Sequence, residues 1–402
     1  MRVVVLGHTA ALGGAELALT RLLAHLPPDI QVHTILFAHG PLEDELRRAG
    51  LRVTVLPLDS SLTTASRHAV GGTVRSAMAS AARVLPFAIR LGRVIRRISP
   101  DVVHTTTLKA DLIGIPAAWI ARRPLVWHVH DRIAPDYLPG PMVHLIRFLA
   151  RHVPRHVLVN SEATAATLTG TRRLTTAYPG FSPEQVGASP AGRTPPDPPV
   201  VGILGRISPT KGQLVFARAA TLVLAARPET RFRVMGTPLF GEEGYEREVR
   251  AAVDTAGIAD HFEFAGFVAD AAAALDQLTL CVHASPTPEP FGQVIVEAMV
   301  RGVPVIATTG GGVTEIVRPD ADPLGWLVPP DDDAALARTI LEALSDPVEA
   351  RRRAQAAWVS SQARFPIAET VTAVTRVWRS VAQPHENHQV TTRAPGQTPC
   401  VR

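Results

Sequence analysis

Short apolar runs recur along this chain, and each is followed by a stretch with helical periodicity. In the first half the runs are VVVLGH (3–8), VHTILF (32–37), VTVLPL (53–58), DVVHTT (101–106), PLVWHVH (124–130) and HVLVNS (156–161). Most are apolar throughout rather than alternating, the pattern of parallel strands covered on both faces. Amphipathic stretches such as 15–26 and 41–49 lie between them. Strand alternating with helix predicts an α/β class with a doubly wound sheet.

The segment SPEQVGASPAGRTPPDPP (182–199) interrupts the pattern and reads as a linker. The strand pattern then restarts with PVVGILGR (199–206), RFRVMG (231–236), FEFAG (262–266), LTLCVHAS (278–285), PVIATT (304–309) and GWLVP (325–329). Two similar halves joined by one linker place the expected ligand cleft between domains, near the C-terminal strand ends. The domains are read as 1–181, a linker at 182–199, and 200–365. A C-terminal helix at 366–382 is expected to return to the first domain, and a disordered tail fills 383–402.

Composition narrows the class. A chain of 402 residues with 46% hydrophobic content supports two cored domains. Two cysteines, Cys281 and Cys400, make no disulfide framework and no C-x-x-C zinc pair. The opening MRVVVLGHTA has too short an apolar run for a signal peptide and reads as a strand. No apolar run reaches the roughly 18 residues of a membrane span. A cytoplasmic protein is expected, with no nucleic-acid partner. The charge is uneven: residues 1–199 carry 22 Lys+Arg against 13 Asp+Glu, while the remainder carries 19 against 23. A basic half suggests an anionic partner, although a solvated surface in an Arg-rich protein explains it equally well.

The chemistry concentrates in SPTPEPFGQVIVEAMV (285–300). Glu289 falls in a loop after a strand, Phe291-Gly292 opens a helix, and Glu297 sits on that helix among Val294, Ile295, Val296 and Met299. Gly292 lets a ligand approach the backbone, and the free N–H groups of the helix start favour a phosphate. Fixed carboxylates on either side are suited to sugar diols. The partner motif is GRISPTKGQ (205–213), where Arg206 and Lys211 are positioned to meet a diphosphate. Only two lysines, Lys109 and Lys211, stand against 39 arginines, so the retained Lys211 suggests a need for a compact ammonium.

The Glu-x7-Glu of EPFGQVIVE, the GRISPTKG and the early GGAE (13–16) resemble the family 4 retaining glycosyltransferases, also called glycosyltransferase group 1, over roughly residues 1–380. That resemblance implies the GT-B fold, two Rossmann-like domains facing each other across a cleft. The first would bind the acceptor and the second the nucleotide sugar. It implies transfer of a sugar from a nucleotide diphosphate sugar, with retention, to a glycan, lipid-linked or small-molecule acceptor. By the same resemblance Glu297 would hold the ribose and Glu289 the donor-sugar hydroxyls. Arg206 and Lys211 would bind the diphosphate. Phe291, Gly292 and Gln293 would offer backbone amides, Gly13 and Gly14 would form the close-approach loop, and His130 would stand beside the donor sugar. Glu315, in GGGVTEIV, falls near the nucleotide or caps its helix. The sequence departs from the family at His283-Ala284-Ser285 and at YPGFSPEQV (178–186), neither of which is expected to touch the diphosphate contacts.

The Asp-x-Asp of DDD (331–333) precedes AALARTILEAL and reads as a helix cap rather than a metal site. No metal or cofactor is expected beyond the co-substrate, since Arg206 and Lys211 can offset the leaving-group charge. No Gly-x-Gly-x-x-Gly supports a dinucleotide. Glu289 and Glu297 as a glycosidase pair would leave the phosphate-binding elements idle. A sugar-nucleotide epimerase, which would need further acids such as Asp131, and an inactive binding subunit are the alternatives. Two basic amphipathic stretches, 83–97 and 141–155, are either ordinary core-facing helices or a peripheral contact with anionic membrane.

Overall fold

The computed structural model describes residues 1–59, 74–239 and 241–383, with the backbone alone for 74–83. The sequence-predicted tail lies outside the described residues from 384 onward.

The first sheet contains β1 (Arg2–Gly7), β2 (Gln31–Leu36), β3 (Arg52–Val55), β4 (Val102–Thr105), β5 (Leu125–Val129), β6 (His156–Val159) and β7 (Leu174–Thr176). The second contains β8 (Val200–Leu204), β9 (Arg231–Met235), β10 (Phe262–Gly266), β11 (Leu280–His283), β12 (Val305–Thr308) and β13 (Trp326–Val328). All pairings are parallel, in the orders β3-β2-β1-β4-β5-β6-β7 and β10-β9-β8-β11-β12-β13. The order reverses between β1 and β4 and again between β8 and β11, so each domain offers a crevice there at its C-terminal strand ends.

In the first domain the described helices are α1 (Gly14–Ala24), α2 (Pro41–Arg48), α3 (Val74–Ile98), α4 (Leu108–Ala121), α5 (Gly140–His152) and α6 (Glu162–Thr167). The second has α7 (Gln213–Ala226), α8 (Glu243–Thr255), α9 (Ala271–Asp276), α10 (Gln293–Val300), α11 (Gly312–Val317), α12 (Asp333–Ser345) and α13 (Pro347–Arg364). The last helix, α14 (Ile367–Ala382), lays Val374, Val377 and Trp378 into a core cluster of the first domain with Val3, Leu19 and Val126.

The segment 182–199 holds two short 3-10 turns, Pro183–Gln185 and Pro190–Gly192. The chain crosses between domains at Phe181 and again at Phe365–Ile367, and the crossings are tied together. Phe181 N–H donates to Phe365 O at 3.0 Å, and Ile367 N–H donates to Phe181 O at 2.9 Å. Both basic stretches are helical and bury one face, α3 through Ala88, Leu91 and Ile95, and α5 through Val143, Ile146 and Ala150. Asp332 caps α12 by accepting from Ala335 N–H at 2.7 Å.

Candidate active site

In the second domain, β8 ends at Leu204 and the chain turns through Arg206 to Lys211, which closes a 3-10 turn before α7. Gly212 links the two at φ +76°, and a Cβ there would overlap the carbonyl oxygen of Ala284. Only glycine fits that left-handed, crowded position. The loop after β11 carries Glu289. Its oxygen Oε1 lies 2.6 Å from Lys211 Nζ and 3.2 Å from His283 Nε2. Burial alone would raise the Glu289 carboxyl, but Lys211 and His283 outweigh it and hold the group far below the usual carboxylate range. Arg206 forms an ion pair with Glu242, at 3.2 Å. Each cation suited to a diphosphate therefore rests on a carboxylate.

Gly292, at φ +115°, starts α10; Ile295 N–H donates back to Gly292 O at 3.0 Å, and the N–H groups of Gln293 and Val294 face the helix start. The ring of Phe291 is core, 3% exposed and packed on Tyr178 and Phe365 with centroids 5.7 and 5.6 Å away, so only its backbone is available to a ligand. Glu297, one turn further, is met from the facing domain. Arg21 of α1 reaches Glu297 Oε1 at 3.2 Å, Gln293 Oε1 at 2.8 Å and Gln185 Oε1 at 3.2 Å. A Cβ on Gly14 would stand 3.2 Å from Gln293 Nε2, and one on Gly13 would strike Glu16. The glycine loop thus lies against the Gln293 side chain at the start of α10.

Glu315 is engaged elsewhere. Its two oxygens accept from the N–H groups of Glu162 and Ala163 at 3.2 Å, and Oε2 also accepts from the Tyr178 hydroxyl at 3.0 Å. It caps α6 of the opposite domain, where free amides and the helix dipole favour an anion, rather than its own helix. Of the two readings of Glu315, near the nucleotide or capping its own helix, the contacts to α6 overturn the second.

His130 follows β5 at the inner end of a row of rings. Its centroid lies 4.1 Å from His128, which lies 5.3 Å from His104. Burial lowers all three imidazoles, His104 to about 3 and His130 to about 4, so the row is neutral at pH 7. Glu16 faces the same side. Burial raises its carboxyl, and neighbouring Asp131 adds to the rise.

The sequence reading did not single out Arg21, Glu242 or Tyr178. Glu242 left a weak signal as an acid at a helix start; Arg21 left none, because its partners are 164 to 276 residues away. The departure at His283 proves to touch the site, since it holds the same carboxylate as Lys211.

A cation pair, a glycine-started helix and two carboxylates at the switch point of one domain face a glycine loop of the other. Residues 12–185 match the family model for Glycosyltransferase Family 4, and residues 188–358 match that for Glycosyl transferases group 1. The chain is 32% identical over 382 residues to the 2-deoxystreptamine N-acetyl-D-glucosaminyltransferase of Streptomyces fradiae, covering 86% of each chain. It is 30% identical over 293 residues to the phosphatidyl-myo-inositol mannosyltransferase of Mycobacterium leprae, covering 71% of this chain and 68% of that one. The crystal structure of Anabaena HepE in complex with UDP and glucose superposes with a TM-score of 0.80 at 27% identity, over 94% of this chain and 100% of that one. The fold is GT-B, and the chain belongs to the family 4 glycosyltransferases. It is a glycosyltransferase that uses a nucleotide-sugar donor and a sugar-type acceptor.

Proposed function

We propose that the protein transfers a hexosyl group from a uridine diphosphate sugar to a hydroxyl of an aminocyclitol, with retention at the anomeric carbon and without a metal. The likeness to a 2-deoxystreptamine transferase over 86% of each chain carries the acceptor reading. The likeness to a protein that binds UDP and glucose supports the donor. Burial raises the Glu16 carboxyl and nearby Asp131 adds to the rise, so an ammonium on the acceptor would be favoured beside these two acids. In this reading Glu297 receives the ribose after displacing Arg21, while Arg206 and Lys211 take the diphosphate. Gln293, Gly292 and Phe291 offer backbone N–H groups to the phosphates. Glu289 and His130 orient the sugar.

Among the described residues no group of three His, Cys, Asp or Glu could hold a metal ion. Positive side chains supply the leaving-group stabilisation that such an ion would give. In this reading Glu289 orients the sugar rather than attacking it, and the reaction is a front-face displacement. The anomeric C–O bond to the diphosphate breaks as the bond to the acceptor oxygen forms. The acceptor proton passes to the departing phosphate oxygen.

The assay is UDP release with UDP-glucose or UDP-N-acetylglucosamine and 2-deoxystreptamine, with the product anomer read by NMR. Turnover with 2-deoxystreptamine well above that with myo-inositol is the expected result. No turnover, or equal rates with both cyclitols, would remove the amine reading.

A second reading places the protein at an anionic membrane. Helix α5, basic in its last turn, turns Leu145 (45% exposed) and Phe148 (57%) outward, as an interfacial helix does. No helix among the described residues is long and apolar enough to cross a membrane. Turnover on phosphatidylinositol vesicles exceeding that on 2-deoxystreptamine would favour this reading.

A further inference from the structure

The end of the first sheet farthest from the catalytic cleft carries its own concentration of charge. In the sequence one arginine stands just ahead of each of three strands: Arg123 before β5, Arg155 before β6 and Arg173 before β7. Those strands are neighbours in the sheet, and their pairing is in register. Arg155 N–H donates to Leu125 O at 2.7 Å, and Val157 N–H donates to Arg173 O at 2.8 Å. Adjacent parallel strands lie about 4.8 Å apart, so the sheet itself sets the three arginines in a row. Arg122, which follows α4 in a left-handed conformation at φ 55°, and Arg96, near the end of α3, complete the wall.

Together they line a cavity of about 980 Å³ in whose wall no carboxylate stands among the described residues. Arg123 donates to Ser99 Oγ at 2.9 Å. The side chains of Arg96, Arg122, Arg155 and Arg173 make no hydrogen bond or ion pair among the described residues. Arg96 and Arg122 sit near helix C-termini, where the dipole favours a cation. Arg155 and Arg173 begin strands and have no such compensation. At the rim stands Trp119, 81% exposed, the most exposed of the large apolar side chains described. Converging guanidiniums beside an open aromatic face suit a phosphate ester with an apolar or aromatic portion.

We propose that this cleft is a second, non-catalytic binding site for a phosphate-bearing ligand. The arginines take the phosphate and Trp119 covers its less polar part. The source is either a free phosphorylated molecule or the headgroup of an anionic lipid, and the chemistry of recognition is the same. The site lies at the N-terminal strand ends of the first sheet, whereas Arg206 and Lys211 follow the C-terminal end of β8 in the second sheet, so its occupant does not compete with the donor.

The test compares wild type, Arg155→Ser/Arg173→Ser, Arg155→Lys/Arg173→Lys and Lys211→Ala. Each is titrated by calorimetry with inorganic pyrophosphate and by co-sedimentation with vesicles of phosphatidylglycerol in phosphatidylcholine. The expected result is an affinity reduced at least tenfold in the double serine variant, largely kept in the double lysine variant and retained in Lys211→Ala. That pattern with pyrophosphate assigns a free phosphate ligand. The same pattern with vesicles alone assigns a lipid headgroup. No binding of either probe, or binding that the double serine variant leaves unchanged, overturns the site.

Discussion

The indole N–H of Trp378 donates to Nδ1 of His104 at 3.0 Å, with both side chains fully buried. A residue of α14 thus fixes the tautomer of a residue on β4, leaving the His104 ring proton on Nε2, toward the interior of the first domain. Replacement of Trp378 by Phe removes the donor and leaves a void. A loss on the order of 2–4 kcal/mol is expected, measured as a shift in the denaturation midpoint of the first domain. An unshifted midpoint would show that α14 contributes little to that core.

The row of neutral histidines predicts an acid-sensitive fold. Below the ordinary imidazole value of 6.5, the unfolded chain takes up protons that the folded rings refuse. Stability is therefore complete above pH 6.5 and falls as the pH drops toward about 3 to 4. For a deeply buried ring the loss between pH 6.5 and 5 is about 2 kcal/mol. His128→Phe keeps the shape of a ring whose nitrogens have no hydrogen-bond partner. It should cut the loss on going from pH 7.5 to 5 by about that amount. An identical pH dependence in parent and variant would count against the neutral row.

Lys211 reports on the chemistry. Arginine keeps the charge but brings a planar, wider head to a site where Nζ rests 2.6 Å from Glu289. A charge-assisted hydrogen bond contributes roughly 1.5–3 kcal/mol, so Lys211→Arg should lower turnover about 10- to 150-fold. Lys109→Arg, in the other domain, should match the parent. Equal rates for the two variants would mean that only charge matters at position 211.

Glu297→Gln should weaken UDP binding about tenfold or more while leaving the melting temperature within a degree or two, because the amide still accepts from Arg21 but binds a ribose diol less well. Calorimetric titration with UDP settles it. Unchanged affinity would assign Glu297 to the Arg21 contact alone.

Glu315 joins the domains through α6 and Tyr178. Glu315→Ala should populate a more open arrangement, seen as a larger radius of gyration in small-angle X-ray scattering. A scattering profile identical to that of the parent would deny it that role.

The alternation of apolar runs and amphipathic stretches was enough to locate twelve strands, because buried parallel strands are continuously apolar and stand out against helices. The strand it missed, β7, is three residues long at a sheet edge, and Leu174-Thr175-Thr176 gives no period to detect. Site residues next to a glycine turn were legible, since Gly212 and Gly292 mark where the backbone must make room. Their partners were not. Arg21 meets Glu297, and Glu315 meets α6, only because two separately folded sheets face each other, and no local pattern encodes that. The strand alternation in VWHVH reveals two rings on one face, but the burial that keeps them neutral belongs to the packed sheet.

Trp378, Val374 and Val377 belong to the core of a domain whose strands end at residue 176. Synthesis on the ribosome runs in one direction at about 5–20 residues per second. The first domain therefore waits roughly 10–40 s for the helix that seals it, with Leu19, Val126 and Leu158 open along the unfilled groove. During that interval the nascent chain presents a sticky surface while its second domain is already being made. A chain cut before residue 378 should keep that groove open, a cost set by the order in which the elements are made.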